Sequence, residues 1–334
     1  MKIGLIDCDS HNFPNLCLMK ISAYHKQQGH EVEWYEALNG LISEYDIVYC
    51  SKVFSFSQDY EFPIYAKEVR KGGSGYAIRI ENGVEVYDKS KDVPLPPEIE
   101  HCFPDYELYS KLTKGKAYGF LTRGCPYGTI HKYCHVGAKE GLCSTKVADL
   151  KEFWNGQKEI ILSDPNILAC KDHMDLLEQL ADSAAAVEFN QGLDIKLITE
   201  ANLEVIKRIN LKSVHFAFDN YNEKDLIEPK LKRFQQETGF ARDKVSCYVL
   251  TNFETRTAGI GTDIKHALYR IYFLKQLNFQ PYVMIYDKEH CHNIFKKLQR
   301  YCKPVFFWKY DTFEDYLAHE YKNPVKIPEQ NERR

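Results

Sequence analysis

The sequence predicts an α/β protein in two parts. A small doubly wound domain occupies residues 1–88, and a partial parallel (β/α)6 barrel occupies residues 117–290. Three observations carry that expectation. The chain opens on strand, helix, strand and strand with glycine turns between them. From residue 117 a strand-then-helix rhythm repeats six times. Each of those six strands ends in polar residues, as in parallel sheets whose site lies at the carboxyl rim.

In the first part, Lys2–Ile6 is an apolar run and predicts a buried strand. Residues Asn15–Gln28 predict a helix that Gly29 stops. Glu31–Tyr35 alternates as a second strand and Asp46–Cys50 reads as a third. The turn Lys71-Gly72-Gly73-Ser74-Gly75 stands where a fourth strand would end. Tyr76–Ile80, Asn82-Gly83 and Val84–Tyr87 predict a hairpin. Residues 89–116 contain Pro94, Pro96, Pro97 and Pro104, and predict a linker over the surface.

The strands of the second part are expected at Tyr118–Leu121, Glu159–Leu162, Ala186–Phe189, Ser213–Phe218, Val245–Leu250 and Gln280–Ile285. Helices are expected at Asp172–Ala181, Glu200–Ile209 and Asp263–Leu277. Their apolar residues recur on one face, as Ala267, Ile271 and Leu274 do at i, i+4 and i+7. Residues 291–334 form a C-terminal extension without an assigned role.

Composition bounds the function. With 334 residues and 44% hydrophobic content the chain can bury a large core. A net charge of −3 gives no broad nucleic-acid or membrane footprint. No run of about 18 apolar residues predicts a membrane span. The N-terminus enters a strand directly, so the expected location is cytoplasmic, where thiols stay reduced. Eleven scattered cysteines fit no disulfide framework. Cys8, Cys17, Cys50 and Cys247 sit among apolar neighbours and read as small buried hydrophobes.

The chemistry concentrates between Tyr118 and Gly141. The strand there ends in Arg123-Gly124-Cys125-Pro126, and the loop beyond it holds Cys125, His131, Cys134 and His135. Such a cluster of soft and borderline ligands reads as a metal or iron–sulfur site. Cys143 could complete a zinc site or be a buried thiol. The polar strand ends supply further candidates: Asp164 and Asn166, then Gln191, Asp194 and Lys196, then Asp219. Each reads equally as a capping or turn residue.

The wording around the ligands resembles the radical S-adenosylmethionine family, which carries C-x3-C-x2-C after the first strand of a partial β/α barrel. Arg-Gly-Cys-Pro opens the loop, and Lys132-Tyr133-Cys134 closes it with the aromatic residue the family places before its third Cys. The middle departs from the family: the spacing is Cys125-x5-His131-x2-Cys134, with His131 where a thiolate is expected. The resemblance covers about residues 117–290. It implies a four-iron four-sulfur cluster on Cys125, His131 and Cys134, with S-adenosylmethionine on its open iron and a 5′-deoxyadenosyl radical as product. It also implies contacts to S-adenosylmethionine from Tyr133, Asp164, Asn166, Gln191, Asp194, Lys196 and Asp219. Asp164 would suit the ammonium group, Lys196 the carboxylate and Asp194 the ribose. An imidazole ligand raises a cluster's potential, which opposes reductive chemistry. The alternative is a degenerate barrel that binds zinc or no metal and serves as a binding or accessory protein. The substrate is open, and an active enzyme would need an electron donor.

The first domain resembles the cobalamin-binding domain that precedes many such barrels. Asp9-Ser10-His11 matches the start of its D-x-H-x-x-G signature, but Pro14 replaces the glycine. The expectation is therefore a domain without bound cobalamin, in which these residues cap the following helix.

Overall fold

The computed structural model of the chain describes residues 1–9, 13–81, 84–321 and 327–328. It resolves into two compact units, one formed by residues 1–130 and 135–161, the other by 131–134 and 162–334.

The first unit is built on a four-stranded parallel sheet. Its strands are β1 (Lys2–Asp7), β2 (Glu31–Trp34), β3 (Tyr45–Ser51) and β4 (Ala66–Gly72), in the order β2-β1-β3-β4. In β1, Ile3 lies opposite Val32 on one side and Ile47 on the other. Both faces of this strand are covered, which is why it reads as a continuous apolar run. On one face Ile3, Leu5, Ile47 and Tyr49 pack with Leu18 and Ile21 of the helix Leu16–Gln27. On the other, Ile6, Val48 and Cys50 pack with Tyr35 and Tyr45. The helix begins where the Asn15 side chain accepts from the Leu18 amide at 3.2 Å. The edge strand β4 is largely exposed and carries Lys67, Glu68, Arg70 and Lys71. Charge of that kind discourages edge-to-edge pairing. It also hides the strand from pattern reading, which found only the glycine turn at its end.

Next come β5 (Ile78–Glu81) and β6 (Val84–Tyr87), an antiparallel pair that sets Ile78 against Tyr87. The turn residues Asn82 and Gly83 lie outside the described residues, as do Ser10 and His11. The segment expected as a surface linker is more than that. A short helix at Pro97–Glu100 places Ile99, 4% exposed, in the apolar cluster of β1 and β3. Ser22 and Lys26 each bond Asp105 at 2.6 Å. The four prolines made the segment read as linker, yet Pro97 starts a helix, where a missing amide costs nothing.

A six-stranded sheet has the order β14-β13-β12-β11-β10-β7. Its strands are β7 (Lys116–Gly119), β10 (Glu159–Leu162), β11 (Ala186–Phe189), β12 (Leu211–Ala217), β13 (Val245–Thr251) and β14 (Gln280–Ile285). A two-stranded antiparallel pair, β8 (Thr122–Arg123) and β9 (Thr145–Lys146), completes the strands. In the second unit β11, β12, β13 and β14 run parallel, with Val214 opposite Val245 and Val249 opposite Val283. Helices at His173–Asp182, Glu200–Arg208 and Ile260–Gln276 bury the faces that the sequence predicts, including Leu176, Leu180, Leu203, Ile206, Ile271 and Leu274.

Three helices of eight or more residues, among those described, escaped the sequence reading. Lys224–Thr238 contains Pro229, a signal against a helix interior, but buries Ile227, Leu231 and Phe234 on one face. Asn293–Tyr301 and Phe313–Glu320 belong to the second unit, where Tyr301, Phe307, Phe313 and Tyr316 form a fully buried aromatic group. No described helix is long and apolar enough to cross a membrane.

Candidate site at the carboxyl ends of the strands

Within the first unit, the opening of the ligand loop is fixed by close backbone contacts. Gly124 has φ +88°, and a Cβ there would stand 2.1 Å from the carbonyl oxygen of Cys143. Gly128 and the helical Gly137 approach so closely that a Cβ on Gly128 would lie 2.5 Å from the Gly137 Cα. Only glycine permits either approach. The Cys125 amide donates to the Gly141 carbonyl at 3.1 Å, and Arg123 reaches Glu140 at 3.2 Å while lying over the Phe120 ring. Cys143 is exposed, so the buried-thiol reading does not hold for it.

Residues His131–Cys134 belong to the second unit. They form a turn in which the Cys134 amide donates to the His131 carbonyl at 2.9 Å. The His131 and Tyr133 rings stack at 5.3 Å, and the edge of Phe253, just beyond β13, meets Tyr133 at 5.2 Å. The Tyr133 hydroxyl donates to Asp219 Oδ2 at 3.3 Å, and Asp219 Oδ1 accepts from the Leu250 amide at 3.0 Å. Burial raises the pKa of Asp219, opposed by the nearby Arg270 guanidinium and these donors. Burial, then the Asp219 charge, raises that of Tyr133. His131 is held below its ordinary range by burial and by the Lys196 cation, while Glu223 and Asp194 act in the opposite sense. A neutral imidazole is the form that ligates metals.

The remaining predicted residues fall into three groups. Asn166 donates to Asp194 Oδ2 at 3.2 Å, and Asp194 Oδ1 caps its own turn by accepting from the Lys196 amide at 3.0 Å. Lys196 pairs with Glu223 at 3.4 Å. Asp164 is 3% exposed, whereas Gln191 is exposed. The structure thus brings His131, Tyr133, Asp194, Lys196 and Asp219 within reach of one another's charge or rings, at the carboxyl ends of β11 and β12.

Sequence reasoning missed Glu223, Phe253, Asn252 and Arg270. Arg270 is 1% exposed and sits in the middle of a helix. It donates to the carbonyls of Phe218 at 2.8 Å, Asp219 at 2.6 Å and Leu250 at 3.1 Å. One guanidinium fork therefore ties the ends of β12 and β13. The signal was an arginine among apolar residues at Ile264, Ala267, Ile271 and Leu274. Asn252, with φ +63° at the end of β13, donates to the Tyr286 carbonyl at 2.6 Å, but its buried Oδ1 has no partner. A buried acceptor without a donor calls for a ligand or water.

Two thiols and a neutral imidazole suit a metal in kind. Among the described residues, no group of three His, Cys, Asp or Glu side chains stands ready to hold a metal ion. In the first unit, Asp9 does not cap the following helix. Its carboxylate accepts from the amides of Val53 at 2.6 Å and Phe54 at 3.2 Å and from the Ser57 hydroxyl at 2.6 Å.

No protein-family model matches the chain, and no curated protein is similar to it. The fold and the placement of these side chains define a parallel α/β protein with a polar, aromatic-lined cluster at the carboxyl ends of its strands.

Proposed function

We propose that this protein is an enzyme of the radical S-adenosylmethionine type, with its six-stranded sheet curved as a partial barrel and S-adenosylmethionine bound along the carboxyl ends of β10 to β13. One observation carries the reading. The segment that resembles the end of the family's ligand loop lies with the carboxylates after β11 and β12, through the 3.3 Å bond from Tyr133 to Asp219. Ligands of open α/β sheets bind at that edge.

The chemistry of the cluster suits the ligand. S-adenosylmethionine carries an ammonium and a sulfonium, and Asp194, Asp219 and Glu223 are carboxylates that attract cations. Lys196 can meet its carboxylate, and the Tyr133 and Phe253 rings can pack on its adenine. The resemblance assigns a four-iron four-sulfur cluster to the Cys125–Cys134 loop. Among the described residues no three-donor group is found, so no order of chemical steps follows. The departure at His131, where the family carries a thiolate, favours the second reading, a binding or accessory protein with a zinc ion or no metal. A cytoplasmic location, with reduced thiols and an electron donor at hand, belongs to the first reading.

Equilibrium dialysis with labelled S-adenosylmethionine, under exclusion of oxygen, tests the binding claim. Saturable binding is expected, weakened about tenfold by Asp219→Asn, a loss of about 1.4 kcal/mol. No saturable binding, with or without added iron and sulfide, would overturn it.

A further inference from the structure

In the first unit, the helix Ala37–Ile42 between β2 and β3 turns its apolar face to solvent. Leu38, Leu41 and Ile42 recur at i, i+3 and i+4, the spacing that gathers side chains on one face of a helix and ordinarily seats them on a core. Here Leu38 is 73% exposed, Leu41 60% and Ile42 86%. The attachment is made by the small residues instead. Ala37 packs on the cluster of Tyr35, Tyr45 and Val48, and a Cβ on Gly40 would stand 3.0 Å from the Tyr65 Cβ. Ala37 and Gly40 thus let the helix lie close on the tyrosines and point its large side chains outward. Phe62, 70% exposed, is joined to the same tyrosines by edge contacts from Tyr35 to Tyr60 and from Tyr60 to Phe62, each at 5.7 Å. Soluble surfaces carry single apolar side chains, whereas a stripe of them marks a contact site.

The charge around the stripe decides among its occupants. From residue 31 to residue 46 the chain carries five carboxylates, Glu31, Glu33, Glu36, Glu44 and Asp46, and no Lys, Arg or His. Two of the five are engaged. Glu33 accepts from the Tyr45 hydroxyl at 2.5 Å and lies 3.5 Å from Lys2, and Asp46 accepts from Lys67 at 2.6 Å. Glu31, Glu36 and Glu44 are exposed and form no ion pair among the described residues, although the charge of Lys67 reaches Glu44. A second copy of the chain would set these carboxylates against its own, and the anionic face of a membrane would meet the same repulsion. A partner of opposite charge gains from the stripe and from its acidic border together.

We propose that this stripe is a docking surface for a basic amphipathic helix of a partner protein. The partner's apolar side chains seat on Leu38, Leu41 and Ile42, and its Lys and Arg side chains meet Glu31, Glu36 and Glu44. The apolar contact supplies affinity, and the carboxylates select a basic partner over an acidic one. This surface requires nothing of the S-adenosylmethionine reading, and either can fail alone.

The probe is a fluorescein-labelled peptide of Leu and Lys with helical apolar spacing, about 14 residues long so that it can form a helix when bound. A Leu and Glu peptide of the same spacing is its control, and fluorescence anisotropy with the full chain is the readout. The Leu/Lys peptide is expected to bind saturably, and the Leu/Glu peptide roughly tenfold more weakly or less. Replacing both Leu41→Ser and Ile42→Ser removes exposed side chains only, so the fold is kept, and should weaken the Leu/Lys peptide about tenfold. Glu36→Gln with Glu44→Gln should weaken it about fivefold and flatten its salt dependence. Absence of saturable binding, equal affinity for the Leu/Glu peptide, or unchanged affinity in the double serine variant overturns the proposal. So does self-association of the chain, or its capture by phosphatidylcholine vesicles, that the double serine variant abolishes, since the stripe would then belong to a second copy or to a lipid surface.

Discussion

Replacing Arg270 by Met should destabilise the second unit by about 3–4 kcal/mol. The side chain is buried, and its fork serves three carbonyls at the ends of β12 and β13, those of Phe218, Asp219 and Leu250. Met fills most of the volume but leaves those acceptors without their charged donor. An orphaned buried acceptor costs roughly 1–3 kcal/mol, so three at the low end give about 3 kcal/mol. Asp219 also loses the cation that opposes its desolvation, which adds to the loss. Release of a buried guanidinium from its own desolvation offsets part of this. The net is a large share of the roughly 5–15 kcal/mol that holds a domain together. Urea denaturation of Arg270→Met against the parent measures it as a lower midpoint at unchanged slope. Arg270→Lys should lie between the two, since it keeps the charge and loses the fork. A cost below about 1 kcal/mol for the Met variant would refute the idea that this fork ties the two strand ends.

Other outcomes follow from particular contacts. His25 is 3% exposed, and burial with the nearby His30 and Arg70 lowers its pKa to about 4. A depressed histidine pKa means stability present above the unfolded value near 6.5 and lost as pH falls toward 4. About 3 kcal/mol should disappear across that window, and His25→Phe should flatten the slope in acid titrations followed by circular dichroism. Gly128→Ala should force the loop off the helix at Gly137, costing about 1–3 kcal/mol in thermal unfolding, because the clash is with a backbone atom. Phe313→Ala should cost about 3–5 kcal/mol, since the ring is fully buried against Tyr301 and Tyr316. Loss of less than about 1 kcal/mol would place that helix outside the cooperative unit.

The strands of both sheets were largely legible because burial on both faces writes them as apolar runs. Boundaries moved by one or two residues, as at β12, which starts at Leu211 rather than Ser213. The first strand of the six-stranded sheet is Lys116–Gly119, displaced from the Tyr118–Leu121 expected. Phe120 and Leu121 are apolar for other reasons: Phe120 lies under Arg123, and Leu121 is fully buried. Proline misled twice, since Pro97 begins a helix and Pro229 is carried inside one. At the site, strand-end polarity pointed to Asp194, Lys196 and Asp219 because a parallel sheet exposes its carboxyl ends. Arg270 and Asn252 were not legible, because their roles depend on which carbonyls fold against them. Whether Asp9 caps a helix or receives the loop after β3 likewise depends on pairing 44 residues away.

The central claim is tested most directly by product release from S-adenosylmethionine. The protein, prepared without oxygen and supplied with iron, sulfide and a strong reductant, should form 5′-deoxyadenosine, and Cys125→Ala and Cys134→Ala should lose both that product and bound iron. Protein that retains zinc instead, or no metal, and forms no 5′-deoxyadenosine would contradict the enzyme and leave the binding protein in its place.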